Sequence, residues 1–174
     1  MNFFVVFISI ILFIFSKDIH AAPPSLKTPA PVIYLADNLD EEYQLGWCID
    51  TKGRGFSDKL HAHSCKPGGG DVQFSFDRKY GLIKSVTFEN KCLANLGPDL
   101  GTRFGLIDCK IGSPFQSFKY ISSTQEFRSN AIINGCIVVG KESRSAGPFM
   151  ARDLYIANCQ SVEPRFREWI IKED

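Results

Sequence analysis

The residues of this 174-residue chain that could do chemistry are few, and they fall on a grid. Cys48, Cys92 and Cys136 stand 44 residues apart, Cys65 and Cys109 are again 44 apart, and Cys159 follows after 50. Asp50, His61 and His63 lie between the first two cysteines, and Asp71 follows them. Two histidines two apart on a strand share a face. They could supply half a metal site or titrate near neutrality, but no further ligands stand beside them, so they are read as surface residues. Zinc would want short Cys-x-x-Cys spacings, which are absent, and no metal is expected. His20 falls in the N-terminal leader, cysteines held in disulfides cannot act as nucleophiles, and scattered carboxylates do not specify a glycosidase. Gly68, Gly69 and Gly70 lack the Lys-Ser/Thr and helix of a phosphate loop and read as a turn. No catalytic residue, no cofactor and no enzymatic activity are expected.

The cysteine spacing instead marks three copies of one unit. Many pairings of six cysteines are conceivable, and the repeat selects one: Cys48–Cys65, Cys92–Cys109 and Cys136–Cys159, each inside its own copy. Each closes a loop worth about 3 kcal/mol in the chain-entropy account. A disulfide framework suits an oxidising compartment. Residues 3–16 form an apolar run too short for a confident membrane span, followed by the small residues Ala21 and Ala22. Residues 1–21 therefore read as a secretory signal peptide, and the chain as secreted. Residues 22–31 hold four prolines and cannot enter a sheet interior. They read as an extended arm, either a loose leader or a strap across a partner. Net charge is +1 with no basic stripe, so nucleic acid is not an expected partner.

The elements that must hold these residues are strands. From Val32 onward short β-rich runs alternate with turn clusters. Each copy offers a strand before its first cysteine (residues 32–35, 82–85 and 126–129), one containing that cysteine, and one ending at the second cysteine. A fourth carries alternating large apolar residues: Phe74 and Phe76, Phe118 and Tyr120, Trp169 and Ile171. Alternation at period two sends each pair to one face. Three copies of four strands are too few for a propeller. They predict an all-β β-trefoil over residues 32–174, its core filled from equivalent positions by many of the 15 phenylalanines.

The segments Ile83-Lys84-Ser85 to Lys91-Cys92-Leu93 and Phe127-Arg128-Ser129 to Gly135-Cys136-Ile137 resemble the ricin-type (R-type) lectin repeat. In that family a Gln-x-Trp motif closes each copy. Here its positions hold Val72-Gln73-Phe74, Gln116-Ser117-Phe118 and Arg167-Glu168-Trp169, so the glutamine survives in the second and the tryptophan in the third. The proline-rich arm, the degenerate repeats and the long insertion 137–158 resemble more narrowly the ricin-like binding subunits of cytolethal distending toxin. With Trp47 and Trp169 the only tryptophans, the tryptophan-rich cluster of the A-like subunit is missing, and the likeness leans to the C-like subunit or a more distant relative, with the choice between A-like and C-like left open.

Galactose recognition needs a carboxylate to accept hydrogen bonds from sugar hydroxyls and an aromatic face to stack against the ring. The family's positions imply Asp50, His63 and Asp71 as the candidate carbohydrate site of copy one. The same positions hold Ala94, Ile107 and Phe115 in copy two, and Val138, Ala157 and Phe166 in copy three. Asp50 reads also, and more readily, as a turn residue bonding its own backbone. The resemblance implies a secreted, non-catalytic subunit that binds a cell-surface glycan or lipid and assembles with a second lectin-like subunit and a nuclease-like catalytic subunit. The alternatives are a free-standing lectin with one degenerate site, and a protease inhibitor using residues 142–148.

Overall fold

A computed structural model describes residues 22–174; the expected signal peptide lies outside them. The described residues are all-β, with twelve strands and two single-turn 3₁₀ segments, Cys159–Ser161 and Pro164–Phe166. Copy one holds β1 (Val32–Leu35), β2 (Trp47–Thr51), β3 (Leu60–Ser64) and β4 (Phe74–Asp77). Copy two holds β5 (Leu82–Ser85), β6 (Lys91–Asn95), β7 (Phe104–Asp108) and β8 (Phe118–Ile121). Copy three holds β9 (Glu126–Ser129), β10 (Gly135–Ala146), β11 (Phe149–Asn158) and β12 (Trp169–Lys172). No helix of the described residues is long and apolar enough to cross a membrane.

The copies repeat at the level of single hydrogen bonds. Tyr34 pairs Cys48, Lys84 pairs Cys92, and Arg128 pairs Cys136. Two residues before each first cysteine the backbone turns left-handed, at Gly46, Asn90 and Asn134, a conformation that glycine and asparagine adopt most readily. In each case the carbonyl of that residue accepts from the second cysteine's N–H: Cys65 to Gly46, Cys109 to Asn90, Cys159 to Asn134. The three expected disulfides are formed, with Cα–Cα separations of 5.0, 4.9 and 5.2 Å. An eight-stranded sheet in the order β12-β1-β2-β3-β11-β10-β9-β8 and a four-stranded sheet β4-β5-β6-β7 curl around one core. That core is built from matched positions: Ile33, Ile83 and Phe127; Ile49, Leu93 and Ile137; Phe74, Phe118 and Trp169. This arrangement is compatible with a β-trefoil.

Two features depart from the sequence reading. The arm 22–31 is not a loose leader, because it packs on copy one of its own chain. Ser25 N–H donates to Gln44 O, the Ala22 carbonyl accepts from Asn38 N–H, Thr28 Oγ1 donates to the Lys66 carbonyl, and Gln73 Nε2 reaches Pro29 O and Ala30 O. Proline lacks an N–H but keeps its carbonyl, so the arm is held through its acceptors. A Cβ on Gly46 would sit 2.7 Å from Pro24 Cβ, so glycine is required there for contact as well as for φ.

The second departure is the third-copy insertion. It is not a loop but a largely exposed extension of the β10–β11 hairpin, paired from Ser143↔Arg152 to Ala146↔Phe149 beyond a bulge between Val139 and Ser143. Its far end adds to copy one, with Ala151 opposite His63 and Arg152 opposite Ala62.

Candidate functional site

Copy one presents its chemistry on the β2–β3 hairpin. The register sets Asp50 opposite His61 and Cys48 opposite His63. Since side chains alternate along a strand, all four share one face, while Trp47, Ile49, Leu60 and Ala62 point into the core. Asp50 is therefore a strand residue, not a turn residue. The histidines are not on the surface either: His61 is 7% and His63 5% exposed. The β10–β11 tip covers them, with Phe149 edge-on to His63 at 5.6 Å between ring centroids. No local pattern around His61 or His63 could have shown this, because the covering segment lies some 90 residues downstream.

The expected trio is brought together, with His63 beside Asp50 and Lys66 linking the two carboxylates. Its ammonium lies 2.9 Å from Asp50 Oδ2 and 2.7 Å from Asp71 Oδ1. The Asp71 contact is an aligned hydrogen bond. The Asp50 contact is an ion pair without that alignment, and neither carboxylate oxygen of Asp50 has a well-directed donor. His63 Nδ1 is 3.6 Å from Asp50 Oδ2, beyond hydrogen-bond range, and donates instead to the Ser64 carbonyl at 2.9 Å. Lys66 had no place in the sequence reading. The available signal was physical: an aspartate among strand residues needs a counter-charge if it is buried, and Lys66 follows directly on Cys65.

Burial governs the titration of this cluster. Desolvation pushes the Asp50 carboxyl up to about 6, with Lys66 pulling against it. Desolvation also drives His61 down to about 4, helped by His63 and by the cations Arg144, Lys52 and Lys66. His63 is lowered for the same first reason. Burial would lower Lys66, but its bonds to Asp71 and Asp50 outweigh it and hold the ammonium above its ordinary value. At pH 7 both histidines are thus neutral and Lys66 is charged. A histidine sensor titrating near 6.5 is not what the fold builds.

Beside this cluster a cavity of about 450 Å³ opens between the β2–β3 hairpin and the tip of β10–β11. Arg54, His61, His63, Lys66, Pro148 and Phe149 contribute to its walls. Asp50, with 1% of its side chain exposed, does not reach it. The equivalent positions of the other copies are apolar, Ala94 being buried and Ile107 and Phe115 exposed in copy two.

No family model matches the chain, and no curated protein matches it. Among solved structures it is similar to the crystal structure of GalNAc-T7 with UDP, GalNAc and Mn2+, at 20% identity and a TM-score of 0.51. The match covers 73% of this chain and 20% of that one. The chain thus spans about a fifth of the protein it resembles, and at this identity the likeness concerns the fold alone.

Proposed function

We propose that this chain is a secreted, non-catalytic β-trefoil of the ricin type that binds saccharides at cell surfaces through copy one. The observation that carries the reading is the cavity under the β10–β11 tip, in the range of small-ligand sites and walled by polar donors and one aromatic ring. The threefold register of strands, turns and disulfides supports the trefoil. The fold likeness to GalNAc-T7, a protein crystallised with GalNAc, and the disulfides, which suit an extracellular setting, point the same way. The test is binding of the labelled chain to intact cells before and after mild periodate oxidation of their glycans. Loss of most of the bound signal is the expected result; unchanged binding counts against a saccharide receptor.

We further propose that the chain acts as the surface-binding subunit of a multi-subunit toxin resembling cytolethal distending toxin, with a second lectin-like and a nuclease-like partner. What favours assembly over a free lectin is copy two. Where copy one has His63 and Asp71, it exposes Ile107 and Phe115, with Ile111 between them in sequence and 63% exposed. Exposed large apolar side chains of this kind serve protein contacts. Co-expression with a neighbouring nuclease-like chain is expected to give a complex that Ile107→Asp and Phe115→Asp dissociate. A chain that stays monomeric beside such a partner removes the toxin reading and leaves the lectin.

A further inference from the structure

The copy-one cavity has the opposite polarity to a galactose site. In a galactose site a carboxylate faces the sugar and accepts from its hydroxyls. Here the carboxylate of Asp50 is buried beneath Lys66, and among the described residues no acidic side chain lines the cavity. What does face it is Lys66, Arg54 and the two imidazoles. Lys66 donates one hydrogen bond to Asp71 and ion-pairs with Asp50, which leaves an N–H of its ammonium for a ligand. Arg54 has no carboxylate partner among the described residues and stands exposed at the rim. His61 is more than nine-tenths buried, lines the cavity, and has neither ring nitrogen hydrogen-bonded. A buried polar group in that state carries a cost of about 1–3 kcal/mol; neither nitrogen is solvent-accessible as the ring stands, so a ligand hydroxyl relieves that cost by turning the ring toward the cavity. Phe149 and Pro148 supply an apolar wall on the hairpin side.

We propose that the cavity takes an acidic saccharide, a sugar ring bearing a carboxylate or sulfate. The anionic group lies between Arg54 and Lys66, a ring hydroxyl meets His61, and the apolar face of the ring rests on Phe149. Arginine's fork suits a two-oxygen anion, and neutral His61 offers one donor and one acceptor to a hydroxyl. The inference rests on the saccharide-binding reading and narrows it to one class of sugar and one site.

The test is calorimetric titration of the full mature chain with methyl glucuronide, galactose 6-sulfate, galactose and acetate, repeated on Arg54→Gln and His61→Gln. At least one acidic sugar should bind roughly tenfold or more tightly than galactose and than acetate, consistent with one charge-assisted hydrogen bond. Arg54→Gln, at an exposed position, should keep the wild-type melting temperature and lose about tenfold or more in affinity for that sugar. Galactose binding as tightly as the acidic sugars, with no effect of Arg54→Gln, overturns the inference while leaving a saccharide-binding protein. Acetate binding as tightly as the acidic sugars reduces the site to an anion site and also overturns it. Binding of none of the four overturns the inference, and periodate-insensitive cell binding would then remove the broader reading separately. Should His61→Gln melt early, the Arg54→Gln comparison decides alone.

Discussion

Lys66→Met is expected to destabilise the fold by about 3 kcal/mol at pH 8 and by much less at pH 5. At pH 8 the variant leaves the Asp50 carboxylate charged, fully buried and without a partner. Removing one member of a buried pair is costly for that reason, whereas removing both often is not. Asp71 adds less, since 17% of its side chain stays exposed. The pH dependence follows from Asp50. Its folded pKa is raised, to about 6 with Lys66 in place, and removing the ammonium raises it further. A carboxyl with a raised folded pKa contributes stability that is fully present below its unfolded value near 3.9 and is lost as pH rises through the folded value. The variant therefore protonates Asp50 at pH 5 and escapes most of the penalty. His61 runs the other way: its lowered pKa of about 4 gives stability present above 6.5 and lost as pH falls through 4. In the wild type the two windows overlap and largely offset each other, so its stability changes little between pH 4 and 6.5 on their account. Urea unfolding at both pH values measures the difference. The double variant Asp50→Asn/Lys66→Met is expected to recover most of the loss at pH 8. An equal loss at both pH values would show that Lys66 acts through packing and not as Asp50's counter-charge.

The second large effect is expected at Arg152, which is 2% exposed and fastens the long hairpin to copy one. Its Nη1 donates to Gly140 O at 2.7 Å and Lys141 O at 2.6 Å, within the bulge of β10. Its Nη2 pairs with Asp40 from the loop after β1, and its guanidinium lies 4.7 Å from the ring of Trp47. Hydrogen bonds to a charged group contribute about 1.5–3 kcal/mol each, and a desolvated cation–π contact up to about 2. Allowing for the water-exposed Asp40, Arg152→Ala should cost on the order of 4 kcal/mol. Amide exchange should speed up first at residues 143–149, because those strand pairs lie beyond the bulge that Arg152 closes. Arg152→Lys should recover little, since an ammonium cannot span two carbonyls, a carboxylate and an aromatic face together. A loss below about 1 kcal/mol, with unchanged exchange at the tip, would mean that the hairpin is seated by its backbone pairing with β3 alone.

These two residues also mark the boundary of what the sequence discloses. The strands before each first cysteine, 32–35, 82–85 and 126–129, coincide with β1, β5 and β9, because turn residues and period-two alternation act over a few positions. The disulfides follow from the 44-residue period, which is a property of the chain order itself. Within copy one, Asp50, His63 and Asp71 do converge, but Lys66 joins the two carboxylates and Asp50 is buried beneath it. What was not legible is where inserted or terminal segments come to rest. Residues 142–148 carry the polarity of a surface loop, yet their hairpin pairs onto β3, because the decisive contacts, Arg152 with Asp40 and Trp47, join residues over a hundred positions apart. The arm's prolines exclude a sheet interior without saying which surface their carbonyls meet. Both segments converge on copy one, the repeat with polar residues at the positions that hold Ala94, Ile107 and Phe115 in copy two and Val138, Ala157 and Phe166 in copy three.

Sugar binding by this repeat can be read from a glycan array probed with the purified mature chain and with Arg54→Gln side by side. Wild-type binding concentrated on acidic saccharides and strongly reduced by the substitution is expected. A folded wild-type chain that binds no saccharide on the array would contradict it.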